Sequence, residues 1–267
     1  YEKPRFKLYQ ANSLEFLNLI YLIPKYTKQH EVVIKTMKEN GGFATLGFLN
    51  QNTDVSNWKT KTPFASIRRI VQDDRFFFKI RTGLWALKTY RNKLPENIFP
   101  TEKVSKVKRE ELNHSYYQGL LVEIGNLKKQ ETFVPYQDKN KKYLEKNLSE
   151  VTTVEKFYNF TYGSLLRSAI TIDVVWFNKR KMPSNFFEVE HSTNIKNSLG
   201  KFVQLQDFYT KFYIVADIAR KREYEDKLSL SMFDPVQDRV SFIDYESLSI
   251  WHTKSFEIHK LENNFKL

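Results

Sequence analysis

Three carboxylates carry the chemistry this sequence can be read to offer. Asp173 interrupts the apolar run ITIDVVWF, and Glu188 and Glu190 sit two apart in FFEVEHS. Both runs, rich in β-branched and aromatic residues, predict strands. Successive strand side chains change face, so Glu188 and Glu190 point one way and Phe187, Val189 and His191 the other. Asp173 then lies opposite the glutamates on the neighbouring strand. The same pattern on an exposed edge would be three solvated groups. Here the flanks are long and apolar, as in buried central strands, where acidic groups repel and lose hydration. A divalent cation compensates, and oxygen-only ligands favour Mg²⁺, with Mn²⁺ as a substitute.

Around this core the chain of 267 residues predicts an α+β or α/β architecture of two domains. Residues 113–267 form a mixed sheet flanked by helices. They open on a helix, HSYYQGLLVEIGNLKK, carrying Glu123 on a largely apolar surface, and His114 and Gln118 at i, i+4 on one face, in support or in DNA contact. KNKKYLEKNLSE and VEKFYNFTYGSLL read as further helices, with Tyr158, Phe160 and Tyr162 as core. KNSLGKFVQLQDF follows the acidic strand as a helix, FYIVAD is a buried strand, and ARKREYEDKLSL is a charged helix whose Arg220, Lys221 and Arg222 reach a DNA backbone.

Residues 30–90 predict three helices (HEVVIKTMKENGG, FATLGFLN, PFASIRRIVQDD) followed by the strands RFFFKI and LWAL, joined at Arg81-Thr82-Gly83. Three helices and a hairpin describe a winged helix-turn-helix, whose third helix enters the major groove. Ser66, Arg68, Arg69 and Gln72 would lie on its exposed side and include donors suited to base edges. Lys59, Lys61, Lys79 and Arg81 would meet phosphates. The competing reading is a solvated helix face on a protein-binding module. Residues 1–29 give a basic segment and a helix over Ser13–Ile23, and residues 91–112 a charged linker with a boundary near 100.

Composition narrows the function. With 43 Lys and Arg against 31 Asp and Glu, the net charge of +12 favours double-stranded DNA or another polyanion. The absence of cysteine rules out disulfides and thiolate zinc sites and fits a cytoplasmic protein. No apolar run is long enough to span a membrane. Position 1 is Tyr rather than Met, which leaves the native start open. No glycine-rich phosphate loop or GxSxG is present.

IDVVW at 172–176 and FEVEHST at 187–193 resemble the core of the PD-(D/E)XK nucleases, in a restriction-endonuclease-like branch. The resemblance implies an αβββαβ order and metal ligation by Asp173 and Glu188. It also implies that the first helix can add a glutamate, a role Glu123 could fill. It departs at the family's lysine, where Glu190 stands, as in some restriction endonucleases. Transition-state charge would then fall to the metal and to Lys179, Lys181 or Lys196, with Glu190 binding metal or accepting the water's proton. Trp58, Pro63, SIRRI at 66–70, Asp73-Asp74, FFFKI at 76–80 and GLWAL at 83–87 resemble the HARE-HTH domain, which implies DNA binding. Together these imply a Mg²⁺-dependent type II restriction enzyme, a homodimer, with a cognate DNA methyltransferase and a cut that depends on methylation or is blocked by it. The alternative is a catalytically inactive DNA-binding regulator on the same fold.

Overall fold

The computed structural model describes residues 28–102 and 104–265. The helix expected over Ser13–Ile23 lies outside them. The first unit opens with helix α1 (Gln29–Glu39), which buries Val33 and Met37 and stops where Gly41 and Gly42 take positive φ. The next run was expected as one helix. It divides into strand β1 (Phe43–Thr45) and helix α2 (Leu46–Asn52), because the Thr45 side chain accepts a hydrogen bond from Phe48 N and starts the helix there. Helix α3 (Pro63–Val71) begins on its proline and buries Ile67 and Val71. Strands β2 (Phe77–Arg81) and β3 (Leu84–Leu87) close a three-stranded antiparallel sheet in the order β1-β3-β2.

A connector leads into helix α4 (Lys106–Leu127), capped by Ser105. The expected linker therefore ends inside this helix. Strand β4 (Glu131–Phe133) follows, then a small hairpin of β5 (Lys142–Tyr143) and β6 (Lys146–Asn147), where a helix was expected. The reason is a turn with Leu144 at positive φ, its carbonyl held by Asn97 Nδ2 at 2.6 Å. After the short helix α5 (Leu148–Val151), residues 154–162 are irregular. Only Gly163–Ala169 is helical (α6), and Tyr162, expected in the core, is 82% exposed.

The remaining elements are β7 (Val174–Phe177), β8 (Pro183–Glu190), α7 (Ile195–Gln204), β9 (Lys211–Ala216), α8 (Lys221–Leu228), β10 (Val240–Asp244) and α9 (Tyr245–Phe265). The five-stranded sheet runs β10-β9-β8-β7-β4. β9 is parallel to β8 and β10, while β7 is antiparallel to β8 and β4. This mixed sheet is covered on both faces. Alternation sends Val174, Trp176, Phe187 and Val189 to the side of α4 and α9. Val175, Phe177 and Phe186 go to the side of α7 and α8, against Leu199, Phe202 and Tyr224.

The first unit keeps a core of its own around Val33, Met37, Leu49, Ile67 and Phe77. Its sheet also enters the larger core, where Phe43, Leu84 and Ala86 pack with Tyr116, Leu120 and Leu248. Helix α9 fastens the two regions. Its Glu257 accepts from Asn50 Nδ2 at 3.2 Å, and its Lys260 donates to the carbonyls of Asn50 and Gln51. Among the described residues no helix is long and apolar enough to cross a membrane.

Candidate active site

The β7–β8 register pairs Val174 with Phe187, which sets Asp173 beside Glu188 at one end of the sheet. Asp173 precedes the strand rather than lying in it. Its Oδ2 accepts the backbone N–H of Val189 at 2.7 Å, so the residue between the two glutamates fixes the aspartate. On the other side His114 Nε2 lies 3.2 Å from the same oxygen, and Gln118 Nε2 donates to the Asp173 carbonyl at 3.0 Å and to Asp138 Oδ2 at 2.7 Å. Lys141 pairs with Asp138 at 2.6 Å.

Helix α7 begins directly after the acidic strand and crosses over it. Ile195, Leu199 and Phe202 enter the core, while Asn194, Asn197, Ser198 and Lys201, at i, i+3, i+4 and i+7, line the acidic side. Lys201 Nζ lies 2.8 and 3.0 Å from the two oxygens of Glu188 and donates to the Thr171 carbonyl at 3.1 Å. Ser198 donates to Glu188 at 3.2 Å and also to Glu190. Glu190 accepts a further bond from Thr193 and lies 3.9 Å from Arg220. Arg220 in turn holds the carbonyls of His191 and Thr193, and Tyr245 Oη donates to the Glu190 carbonyl at 3.2 Å and hydrogen-bonds His191 Nδ1 at 2.7 Å. Asp173, Glu188, Glu190, His114, Ser198 and Lys201 border a cleft of about 500 Å³ that also exposes Glu110, Glu111 and Lys141.

The charges are unevenly balanced. Burial and the neighbouring Asp173 push Glu188 well above the usual carboxylate range, and Lys201 only partly opposes them. Burial also raises Glu190 against the pull of Ser198 and Arg220. Burial works against ionised Asp173 too, but His114 and the Val189 N–H outweigh it and lower its pKa. Lys201 is raised: Glu188 overcomes a burial penalty that would discharge it. Burial and His114 depress His191 to about 4, so its imidazole is neutral. A carboxylate pair short of positive charge, open to a cleft and made of oxygen donors, fits a hard divalent cation. Asp173 and Glu188 could hold one.

Asp173, Glu188 and Glu190 all line the cleft, and Glu123 does not. That side chain accepts from Tyr143 Oη at 2.6 Å and lies 2.7 Å from His252 Nε2. It sits nine residues beyond His114 on α4, roughly 13 Å along the axis. Glu110 and Glu111, a turn before His114, are the helix glutamates that face the cleft. Lys179 and Lys181 lie in the loop before β8, at the opposite end of the sheet, and Lys196 is exposed on the first turn of α7. Lys201 was missed by the sequence reading, although the polar stripe Asn194-Asn197-Ser198-Lys201 on an otherwise amphipathic helix is the signal that marks it.

In the first unit Arg69 and Gln72 are exposed and Arg68 is half-buried, but Ser66 is buried, its hydroxyl turned back to the Thr62 carbonyl. Lys79 is exposed and pairs with Glu246 at 3.6 Å. Arg81 is half-buried and engaged within the protein. Its guanidinium donates to the carbonyls of Asn97, Ile98 and Leu112 and lies over the Tyr116 ring, because the β2–β3 turn packs into α4 and α9. Tyr116 Oη donates to the Thr82 carbonyl, and Gly83, at φ +79°, abuts Ser249. Arg220 is likewise committed to the loop around Glu190, and Lys221 pairs with Glu225.

No solved structure matches the chain. The Type II restriction enzyme NmeDI of Neisseria meningitidis serogroup C is 25% identical over 113 residues, which cover 38% of this chain and 32% of the relative. The chain thus spans about a third of the length of that curated relative. Residues 93–265, the whole mixed sheet with its helices, match the family described as the Type II restriction enzyme NmeDI C-terminal domain, and the chain belongs to that family.

Proposed function

We propose that the chain is a Mg²⁺-dependent, sequence-specific endonuclease that hydrolyses phosphodiester bonds of double-stranded DNA. One observation carries this reading: two carboxylates, half-buried Asp173 and buried Glu188, meet at a sheet end inside an open cleft with the Lys201 ammonium 2.8 Å from one of them. The αβββαβ order of α4, β4, β7, β8, α7 and β9 supports a PD-(D/E)XK nuclease. Divalent metal held by Asp173 and Glu188 would supply Lewis-acid polarisation of the phosphate and a lower pKa for the attacking water.

The protein's own groups divide the remaining work. Lys201 reaches from α7 to the Glu188 carboxylate, and its ammonium would stabilise charge developing on the phosphoryl oxygens. Glu190 has its oxygens engaged by Ser198, Thr193 and Arg220, so it anchors α7 and the cleft loop more than it serves as a base. His114 and the Val189 N–H orient Asp173. The regulator alternative rests on the missing strand lysine; a lysine that reaches Glu188 from α7 favours the nuclease over it.

The helix–strand–helix–helix–strand–strand order with sheet order β1-β3-β2 supports a winged helix. Arg68, Arg69 and Gln72 on α3 are its candidates for base contact, while the half-buried hairpin turn holds the module against α4 and α9. Cutting both strands of a symmetric site needs two copies, so a homodimer is part of this reading. The test is plasmid cleavage in Mg²⁺ by wild type, Asp173→Asn and Glu188→Gln. Cutting by wild type alone supports the nuclease; tight DNA binding by all three without cutting in Mg²⁺ or Mn²⁺ supports the regulator.

A further inference from the structure

Among the described residues, one face of helix α9 is apolar and open to solvent. Ile250, Ile258, Leu261 and Phe265 are between 48% and 72% exposed. With Lys254 they occupy positions i, i+4, i+8, i+11 and i+15. At about 100° per residue these fall within roughly 80° of the helix circumference and run about 22 Å along it. The inward side of the same helix is already engaged. Leu248, His252 and Thr253 are buried, Ser249 meets Gly83, and Glu257 and Lys260 hold α2. The stripe is therefore a second apolar face on a helix whose first is satisfied.

Its size and symmetry indicate what covers it. Four such side chains leave on the order of 400–500 Å² uncovered, an extent at which a surface patch is often functional. Two copies meeting there would bury about 800–1,000 Å² from these residues alone, and polar neighbours along the helix raise the total past the roughly 1,000 Å² that a specific interface needs. Lys254 does not break the stripe. Its ammonium is paired with Glu257 on the same helix, so its stem can be covered without leaving a charge unpaired. The spacing also reads the same from either end: about the midpoint between Glu257 and Ile258, Ile250 mirrors Phe265 and Lys254 mirrors Leu261. A stripe with that symmetry fits an antiparallel copy of itself.

We propose that two copies of this chain associate through α9, the stripe crossing its counterpart antiparallel about a two-fold axis beside Ile258. Ile250 then packs on the partner's Phe265, and the stem of Lys254 on the partner's Leu261. The choice of a second copy as occupant rests on the nuclease reading, in which both strands of a symmetric site are cut; association itself can be tested without cleavage. α9 also begins at the cleft, where Tyr245 bonds the Glu190 carbonyl and His191. Pairing through this helix holds two clefts in one frame.

The experiment is sedimentation equilibrium of the full chain, wild type and Leu261→Glu, over a range of concentrations, together with oxidation of Ile258→Cys. The last is a clean probe, because the chain has no cysteine of its own. Wild type is expected to dimerise at micromolar concentration. Leu261→Glu, with circular dichroism reporting that it folds, is expected to raise the dimer's Kd at least about 30-fold. Ile258→Cys, beside the axis, is expected to lock as a disulfide-linked dimer. A wild type that stays monomeric overturns the proposal, and resistance of Ile258→Cys to thiol labelling in that monomer would mean that another part of the chain covers the stripe. So does a dimer that Leu261→Glu leaves at wild-type affinity, or Ile258→Cys chains that stay unlinked on oxidation, since either places the interface elsewhere. A dimer that passes these tests but cuts no DNA would sink the nuclease reading and leave the interface standing; a monomer that cuts would do the reverse.

Discussion

Replacing Lys201 with methionine removes one ammonium while keeping much of the stem that packs along α7. In the structure that ammonium is 2.8 and 3.0 Å from a Glu188 carboxylate whose side chain is 4% exposed, and its own side chain is 30% exposed. Breaking a fully buried ion pair costs about 3–5 kcal/mol. Partial exposure of Lys201 screens the pair, and the raised pKa of Glu188 lets it take up a proton, so the stability loss should be about 1–2 kcal/mol. The catalytic loss should be larger: a preorganised charged donor is worth about 10²–10³ in rate, or roughly 3–4 kcal/mol. Single-turnover cleavage at saturating enzyme and varied Mg²⁺ separates these effects. Lys201→Met should cleave about 10²–10³-fold more slowly, while half-saturation by Mg²⁺ stays the same or falls, because a positive charge has left the carboxylates. A variant within about threefold of wild type, or one rescued simply by more Mg²⁺, would refute the role assigned to Lys201.

Other outcomes follow from the same geometry. Arg81→Ala strips three backbone carbonyls of a charged donor, so urea unfolding should show a loss of about 2–4 kcal/mol. The salt dependence of DNA affinity should not change, whereas a phosphate contact would reduce the slope by roughly 0.9. Arg69→Ala, on the exposed side of α3, should lower affinity for the specific site by about 1–3 kcal/mol in gel shifts and leave unfolding unaltered. Gly83→Ala would bring a methyl group 2.2 Å from Ser249 Oγ at a φ of +79°, so thermal melts should fall clearly, and Ser249→Ala should restore only the clash component.

The sheet and its acidic end were legible because their signals are local. β8 alternates without interruption, so Phe187 and Val189 fall to one face and Glu188 and Glu190 to the other, and the structure agrees. Asp173 was legible as their neighbour for the same reason. What was not legible depends on chain crossings. Lys201 is 13 residues from Glu188 and meets it only because α7 folds back over β8. Arg81 reads as a basic residue on a hairpin tip; only the packing of that tip into α4 and α9 commits its guanidinium to backbone carbonyls. Glu123 lies on the correct helix, but the helix carries it past the cleft toward Tyr143 and His252. The stretch 154–162 has helical spacing, yet its aromatics pack individually, Phe157 and Tyr158 against Phe177, without forming a helix.

Joint ligation of a divalent cation by Asp173 and Glu188 would be visible in the anomalous density of the protein crystallised with Mn²⁺. The expected result is an ion about 2.1 Å from a carboxylate oxygen of each, with Lys201 still beside Glu188. Density lacking an ion between those two residues, or carboxylates turned away from one another, would contradict it.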